Sequence, residues 1–316
     1  MLTTRMMPKF GPSLMTGLSV FALTTFMFVS LRPKITILPT APPPKSAQAL
    51  PPAPKIKFVE KRLALKPNLT SPPAISKPSQ RMIEFYKIQA FQRREYLKVV
   101  QQSLSKNYMF VYNNMGPEVH CPELVRVGTT NDGGKWICSP FRIPDGCAII
   151  SLGLFNEVTF EQELQYIINK RCKIFAYDSQ QQAPHTLKLL ESIRTKAMKA
   201  TISAETDVSK QRYAIEDLMV MEGVRSIEIL KIDIEGSEFN VIPPLLKKHK
   251  PAQIMIEIHG TPAEMVTLLT KISRQGYWLY SYEINGAWHN LCEFSFIHES
   301  AFERYGATPL AKFLDF

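Results

Sequence analysis

From Cys147 to His298, short apolar runs alternate with amphipathic helical runs, and no other feature restricts the fold as much. The apolar runs are "CAIISLG" (147–153), "KIFAYD" (173–178), "ATISAE" (200–205), "IEILKID" (227–233) and "QIMIEIH" (253–259). Helical runs separate them, among them "TFEQELQYIINKR" (159–171), "APHTLKLLESIRTKAM" (183–198) and "TPAEMVTLLTKISRQG" (261–276). Apolar strands alternating with helices specify a parallel sheet covered on both faces. The rhythm breaks at "YWLYSYEINGAWHNLCEFSFIH" (277–298), which reads as two strands about the turn signal Asn285-Gly286. The expected domain is therefore α/β and Rossmann-like, mostly parallel, with a C-terminal antiparallel hairpin. An all-parallel dinucleotide-binding fold lacks that hairpin.

The chain ahead of this domain has a different character. After a short tail (1–9), residues 10–31 carry no formal charge. As a helix these residues would span roughly 33 Å, against a hydrocarbon core of about 30 Å. That predicts a transmembrane signal anchor, and no small-x-small cleavage site follows the apolar run. Arg5 and Lys9 on one side nearly balance Arg32, Lys34 and Lys45 on the other, so positive charge does not set the orientation. Residues 32–79 hold 12 of the 24 prolines and no glycine, the composition of a stiff stalk without a core. Within it Asn68-Leu69-Thr70 is a glycosylation sequon. Anchor, stalk and domain (80–316) in that order predict a single-pass type II membrane protein, its domain lumenal in the Golgi or another secretory compartment. A helix over "SQRMIEFYKIQAFQRREYLKVVQQSL" (79–104) is expected at the domain edge.

Charge follows the same division. The net charge of +10 arises before residue 81, where 11 Lys/Arg face only Glu60, while residues 81–316 carry 27 charges of each sign. A neutral domain has no electrostatic footprint for nucleic acid. None of the five cysteines forms a CxxC pair, which argues against zinc. Cys121 and Cys138 flank a Gly-rich turn and can close a disulfide in an oxidising lumen, though buried thiols fit them too. Cys172 and Cys292, inside apolar runs, are expected to be buried thiols.

Ligands of open α/β sheets bind beyond the carboxyl ends of the strands. The first strand ends in Ser151-Leu152-Gly153-Leu154-Phe155-Asn156, where Gly153 lets backbone and ligand approach closely. The second ends at Asp178, where an acid can accept from both ribose hydroxyls of a nucleoside or simply cap the next turn. Asp233 and Glu235 lie two apart at the end of the fourth strand, hence on one side, with Gly236 to turn the chain and Ser237 to cap the next helix. Glu257 and His259 close the fifth strand with the same spacing.

At these motifs the sequence resembles a known family. "LKIDIEGSEFNVI", preceded by "YAIEDLM", resembles the signature of FkbM-type methyltransferases. "VGTTNDGGKWIC", "SLGLFNEVTFEQEL" and "IEIHG" are similar to the methyltransferase-like protein 24 branch of that family. The resemblance covers residues 115–300 and implies a class I methyltransferase fold with S-adenosylmethionine as cofactor. It would place Gly153 and Asn156 against the methionine part, Asp178 at the ribose and Asp233 near the transferred methyl. One departure is the first-strand loop, which keeps a single glycine where the family pattern has two or three.

O-methylation of a hydroxyl on a glycan or secreted substrate is the expected chemistry. Two routes can remove the acceptor proton: His259 as general base, favoured because imidazole titrates near neutral pH, or a divalent metal held by Asp233 with Glu257 or His259. Glu235 is expected to serve structure, beside the positive end of a helix. Two rival readings are a metal-dependent type II glycosyltransferase, in which "IDIEG" would hold metal and diphosphate, and a methyltransferase fold that binds without catalysing. Of the hairpin aromatics Tyr277, Trp278, Tyr280, Tyr282 and Trp288, most are expected to be core.

Overall fold

The computed structural model describes residues 75–316. The expected membrane segment (10–31), the stalk up to residue 74 and Asn68 lie outside the described residues. Among those described, no helix is long and apolar enough to cross a membrane. Helix α1 (Gln80–Gln101) starts at Ser79, whose Oγ accepts from the Met82 amide at 3.2 Å and so caps one free donor of the first turn.

Seven strands form the central sheet: β1 (Ala148–Leu152), β2 (Lys173–Asp178), β3 (Thr195–Lys199), β4 (Ile229–Ile232), β5 (Gln253–Glu257), β6 (Tyr277–Ile284) and β7 (Cys292–His298). Their spatial order is β3-β2-β1-β4-β5-β7-β6, and β7 alone runs against its neighbours. Chain order reverses between β1 and β4, so the connections leave in opposite directions there and open a crevice at the strand ends.

Neighbouring side chains on one strand point to opposite faces, which splits the core in two. Ile150, Leu230, Ile254 and Ile256 pack on one face with α4 (Ile215–Glu222), α5 (Glu238–Lys248) and α6 (Pro262–Ser273), and α1 lies against α6. Ile149, Ile229 and Met255 pack on the other, under α2 (Thr159–Ile167) and a hairpin of Leu124–Val127 with Lys135–Cys138. Each fully buried aliphatic side chain of this kind stabilises the fold by about 1.5–3 kcal/mol. The hairpin is docked by Gln253, whose amide accepts from Cys138 N at 2.9 Å and donates to Cys138 O at 2.8 Å.

Three expectations need correction. The third strand lies at Thr195–Lys199, not 200–205, because α3 (Pro184–Ser192) stops at Ser192 and Arg194 turns the chain with a φ of 59°. Thr201–Ile202 pairs instead with Arg212–Tyr213 in a separate ribbon. Asn285-Gly286 is not a two-residue turn. It begins a loop over 285–291, in which Asn285 Oδ1 accepts from the amides of Ala287 and Trp288. Cys172 is not a free thiol: it is bonded to Cys147, with Cα atoms 4.7 Å apart, beside the Cys121–Cys138 disulfide at 5.6 Å. Cys292 is free and buried.

Candidate active site

The loop after β1 runs directly over the end of β4. Gly153 has a φ of 81°, and a Cβ there would lie 1.8 Å from the carbonyl oxygen of Asp233. A glycine is therefore required by chain crossing alone. The next two amides, of Leu154 and Phe155, donate to Asp178 Oδ2 at 2.6 and 2.8 Å, and Gln180 N donates to Oδ1 at 2.6 Å. Asn156 N donates to Gln182 Oε1 at 2.8 Å, and Asn156 Oδ1 accepts from Ala183 N at 2.7 Å. Asp178 and Asn156 thus brace the loop and do not line the cavity beside it. Asp178 retains one unused acceptor direction, on Oδ1.

That cavity, of about 550 Å³, opens at the carboxyl ends of β1, β4 and β5. Its floor carries Gly153, Lys231, Asp233, Glu235, Glu257 and His259, while Trp288 and Asn290 reach it from the 285–291 loop and Asp132 from the hairpin turn. Gly153, Asp233, Glu257 and His259 are brought together as their strand-end positions suggest. Trp288 is 62% exposed at the cavity, whereas Tyr277 and Tyr280 are buried core.

His259 is the centre of the acidic side. Nδ1 lies 3.0 Å from Oε1 of Glu238, a fully buried acid in the first turn of α5. Nε2 faces Glu257 Oε1 at 3.4 Å, Asp233 Oδ1 at 3.8 Å and Glu235 Oε2 at 3.8 Å. Burial lowers the His259 pKa, but the hydrogen bond and charge of Glu238, with the charges of Asp233 and Glu235, outweigh it and hold the ring above its ordinary value. Burial pushes the Glu257 carboxyl up, as do the adjacent Glu293 and Asp233. Glu293 is itself paired with Lys135, a fully buried ammonium. Burial lowers the Lys135 pKa, and the neighbouring carboxylates more than restore it.

Glu235 holds a left-handed φ of 53°, and its side chain, 84% exposed, lines the cavity. Ser237 stands at the N-cap of α5 but makes no side-chain capping bond; Glu238 instead accepts from Ile234 N at 3.3 Å. Sequence reasoning misses Glu238, because 21 residues separate it from His259 and only the packing of α5 against the end of β5 joins them. An acid one step inside a helix that follows "IDIEGS" is the signal that was available. Lys231, two residues before Asp233 on the same strand face, is also missed; its Nζ donates to Gly153 O.

A sheet ordered β3-β2-β1-β4-β5-β7-β6, antiparallel only at β7, with its cavity at the β1/β4 reversal, defines a class I methyltransferase fold. Residues 79–298 match the family model described as a methyltransferase domain, and the chain belongs to that family. Among solved structures, the fibrillarin pre-rRNA processing protein of Methanococcus jannaschii is 12% identical with a TM-score of 0.36, covering 50% of this chain and 69% of that one. Aeropyrum pernix fibrillarin, in complex with natively bound S-adenosyl-L-methionine, is 11% identical (TM-score 0.35; 55% and 82% covered). The precorrin-6y C5,15-methyltransferase of Geobacter metallireducens is 14% identical (0.33; 50% and 82%). No curated protein sequence matches the chain.

Proposed function

We propose that the chain is an S-adenosylmethionine-dependent O-methyltransferase of the FkbM type, in the methyltransferase-like protein 24 branch, acting on a hydroxyl of a glycan or secreted substrate. The observation that carries this reading is the cavity at the sheet reversal, where Gly153 and Asp233 meet under an acid-rich wall. Its donor set fits the cofactor: Asp132, Glu157, Asp233 and Glu235 favour a sulfonium cation, and the volume lies within the usual range for small-ligand sites.

When bound, S-adenosylmethionine would supply an electrophilic methyl group for an acceptor oxygen. The chain's own residues orient and take up a proton. Asp233, at the end of β4, is placed to orient the reacting groups. The acceptor proton leaves toward the His259 edge, where imidazole and carboxylates converge. Asp178 and Asn156 hold the β1 loop in shape, leaving Gly153 and Leu154 to face the ligand.

The uncharged segment 10–31 and the proline stalk support a type II membrane protein with a lumenal domain, and the two disulfides suit an oxidising compartment. A thermal shift with S-adenosylhomocysteine, run beside uridine diphosphate with Mn²⁺, tests the enzyme class. Stabilisation by S-adenosylhomocysteine is expected. Stabilisation only by the nucleotide and metal would replace this reading with a glycosyltransferase, and no shift from either would leave a fold without the activity.

A further inference from the structure

His259 stands among more acids than one imidazolium balances. Its Nδ1 is tied to Glu238 at 3.0 Å, which makes Nδ1 the protonated nitrogen when the ring is neutral and turns the lone pair of Nε2 into the cavity. There Nε2 meets three carboxylate oxygens at 3.4–3.8 Å, none within hydrogen-bond distance. Even with the ring protonated, Asp233, Glu235 and Glu238 bring three acids to one imidazole, and a cation among them offsets the excess negative charge.

We infer that Asp233, Glu235 and His259 bind a divalent cation of the Mn²⁺ class at the carboxyl ends of β4 and β5. Their ligand atoms all lie within 4.8 Å of one another. Neighbouring ligands of an ion with bonds of about 2.1 Å stand roughly 3.0–3.4 Å apart, so small side-chain shifts close the site. Glu238 completes it from behind. A buried carboxylate on the far ring nitrogen fixes the tautomer and orientation of a metal-binding histidine.

Glu257 gives an independent indication. It is 2% exposed, lines the cavity, stands 3.4 Å from His259 Nε2, and its Oε2 has no hydrogen-bond partner. Oε1 is the oxygen that faces His259, and a buried carboxyl that lines the site with an oxygen left unpartnered is costly unless a ligand offsets it. One imidazole with carboxylates suits a borderline-hard cation with open positions better than a closed zinc site, which takes thiolates or several imidazoles. The open positions face the cavity, where an acceptor hydroxyl on the cation would lose its proton more readily to a carboxylate of that same edge. That role rests on the methyltransferase reading; the binding itself does not.

The test is titration of the full-length chain with Mn²⁺ alone, followed by electron paramagnetic resonance and calorimetry, then repeated with S-adenosylhomocysteine. Saturable binding of one ion per chain is expected. Glu235→Gln, at a mostly exposed side chain, is expected to weaken binding at least 10-fold with an unchanged melting temperature, and His259→Ala to abolish it. Glu238→Gln, a positioning change, is expected to cost about 10- to 100-fold in Mn²⁺ affinity. Absence of saturable binding, or equal binding by wild type, Glu235→Gln and His259→Ala, overturns the inference. Mn²⁺ binding without any S-adenosylhomocysteine binding supports the cation site and defeats the methyltransferase reading; the reverse result does the opposite.

Discussion

Oδ2 of Asp178 lies 2.6 Å from the amide nitrogen of Leu154, so the acid that ends β2 is bonded to the loop that ends β1. It also accepts from Phe155 and Gln180. From sequence alone the acid reads as a ribose ligand with a solvated alternative; its geometry makes it first a brace. Removing a charged acceptor leaves buried donors unpaired, at roughly 1.5–3 kcal/mol for each such bond. Asp178→Ala is therefore expected to lower the urea midpoint of the domain as well as weaken cofactor binding. An unchanged midpoint would show that the loop is held by other contacts.

Glu118 gives the domain a stability that depends on pH. It is fully buried, with Oε1 accepting from Phe313 N at 2.6 Å and Leu314 N at 2.8 Å, and Oε2 accepting from Leu279 N at 3.0 Å. Burial outweighs these bonds and pushes its pKa up to about 7 from 4.5. Between those values the folded chain keeps a proton that the unfolded chain has released, so the contribution of this group to stability is greatest below pH 4.5 and falls as pH rises to 7. The loss attributable to this group is on the order of 3 kcal/mol. Urea midpoints at pH 4.5, 5.5 and 7 should show that decline, and Glu118→Gln should flatten it. Equal slopes for both proteins would rule the group out.

The cysteines make a chemical prediction. Denatured without reductant, the chain should take up one equivalent of alkylating agent, at Cys292, and five after reduction. Replacing Cys147 and Cys172 by serine is expected to cost about 3 kcal/mol, from the loop of 25 residues that the bond closes. Uptake of three equivalents before reduction would show that one of the pairs is open.

Much of the fold is legible because four of the five parallel runs are apolar on both faces and end in acids or glycine. β3 is not, since Lys196 and Lys199 interrupt it. As the sheet's edge strand it is half exposed, and lysines there also discourage pairing with other chains. The Cys147–Cys172 bond was within reach of sequence reasoning. Once β1 and β2 are taken as parallel neighbours, the register Ala148 to Lys173 sets the two preceding cysteines side by side. The pairing of Glu238 with His259 was out of reach, because helix packing and not strand periodicity brings the two together.

Topology can be tested at Asn68. If the domain is lumenal, expression in a secretory host should give a product whose mobility shifts on endoglycosidase treatment, and Asn68→Gln should remove the shift. A domain without glycan that is cut by protease in intact microsomes would place it on the opposite side of the membrane.

S-adenosylmethionine is expected to bind where β1 and β4 part. Ultraviolet cross-linking of methyl-labelled S-adenosylmethionine to the full-length chain, followed by peptide mapping, tests it most directly. Label on peptides containing Gly153–Glu157 or Asp233–Glu235, displaced by excess S-adenosylhomocysteine, is the predicted result. Label that is not displaced, or that falls only on peptides remote from those strand ends, would contradict it.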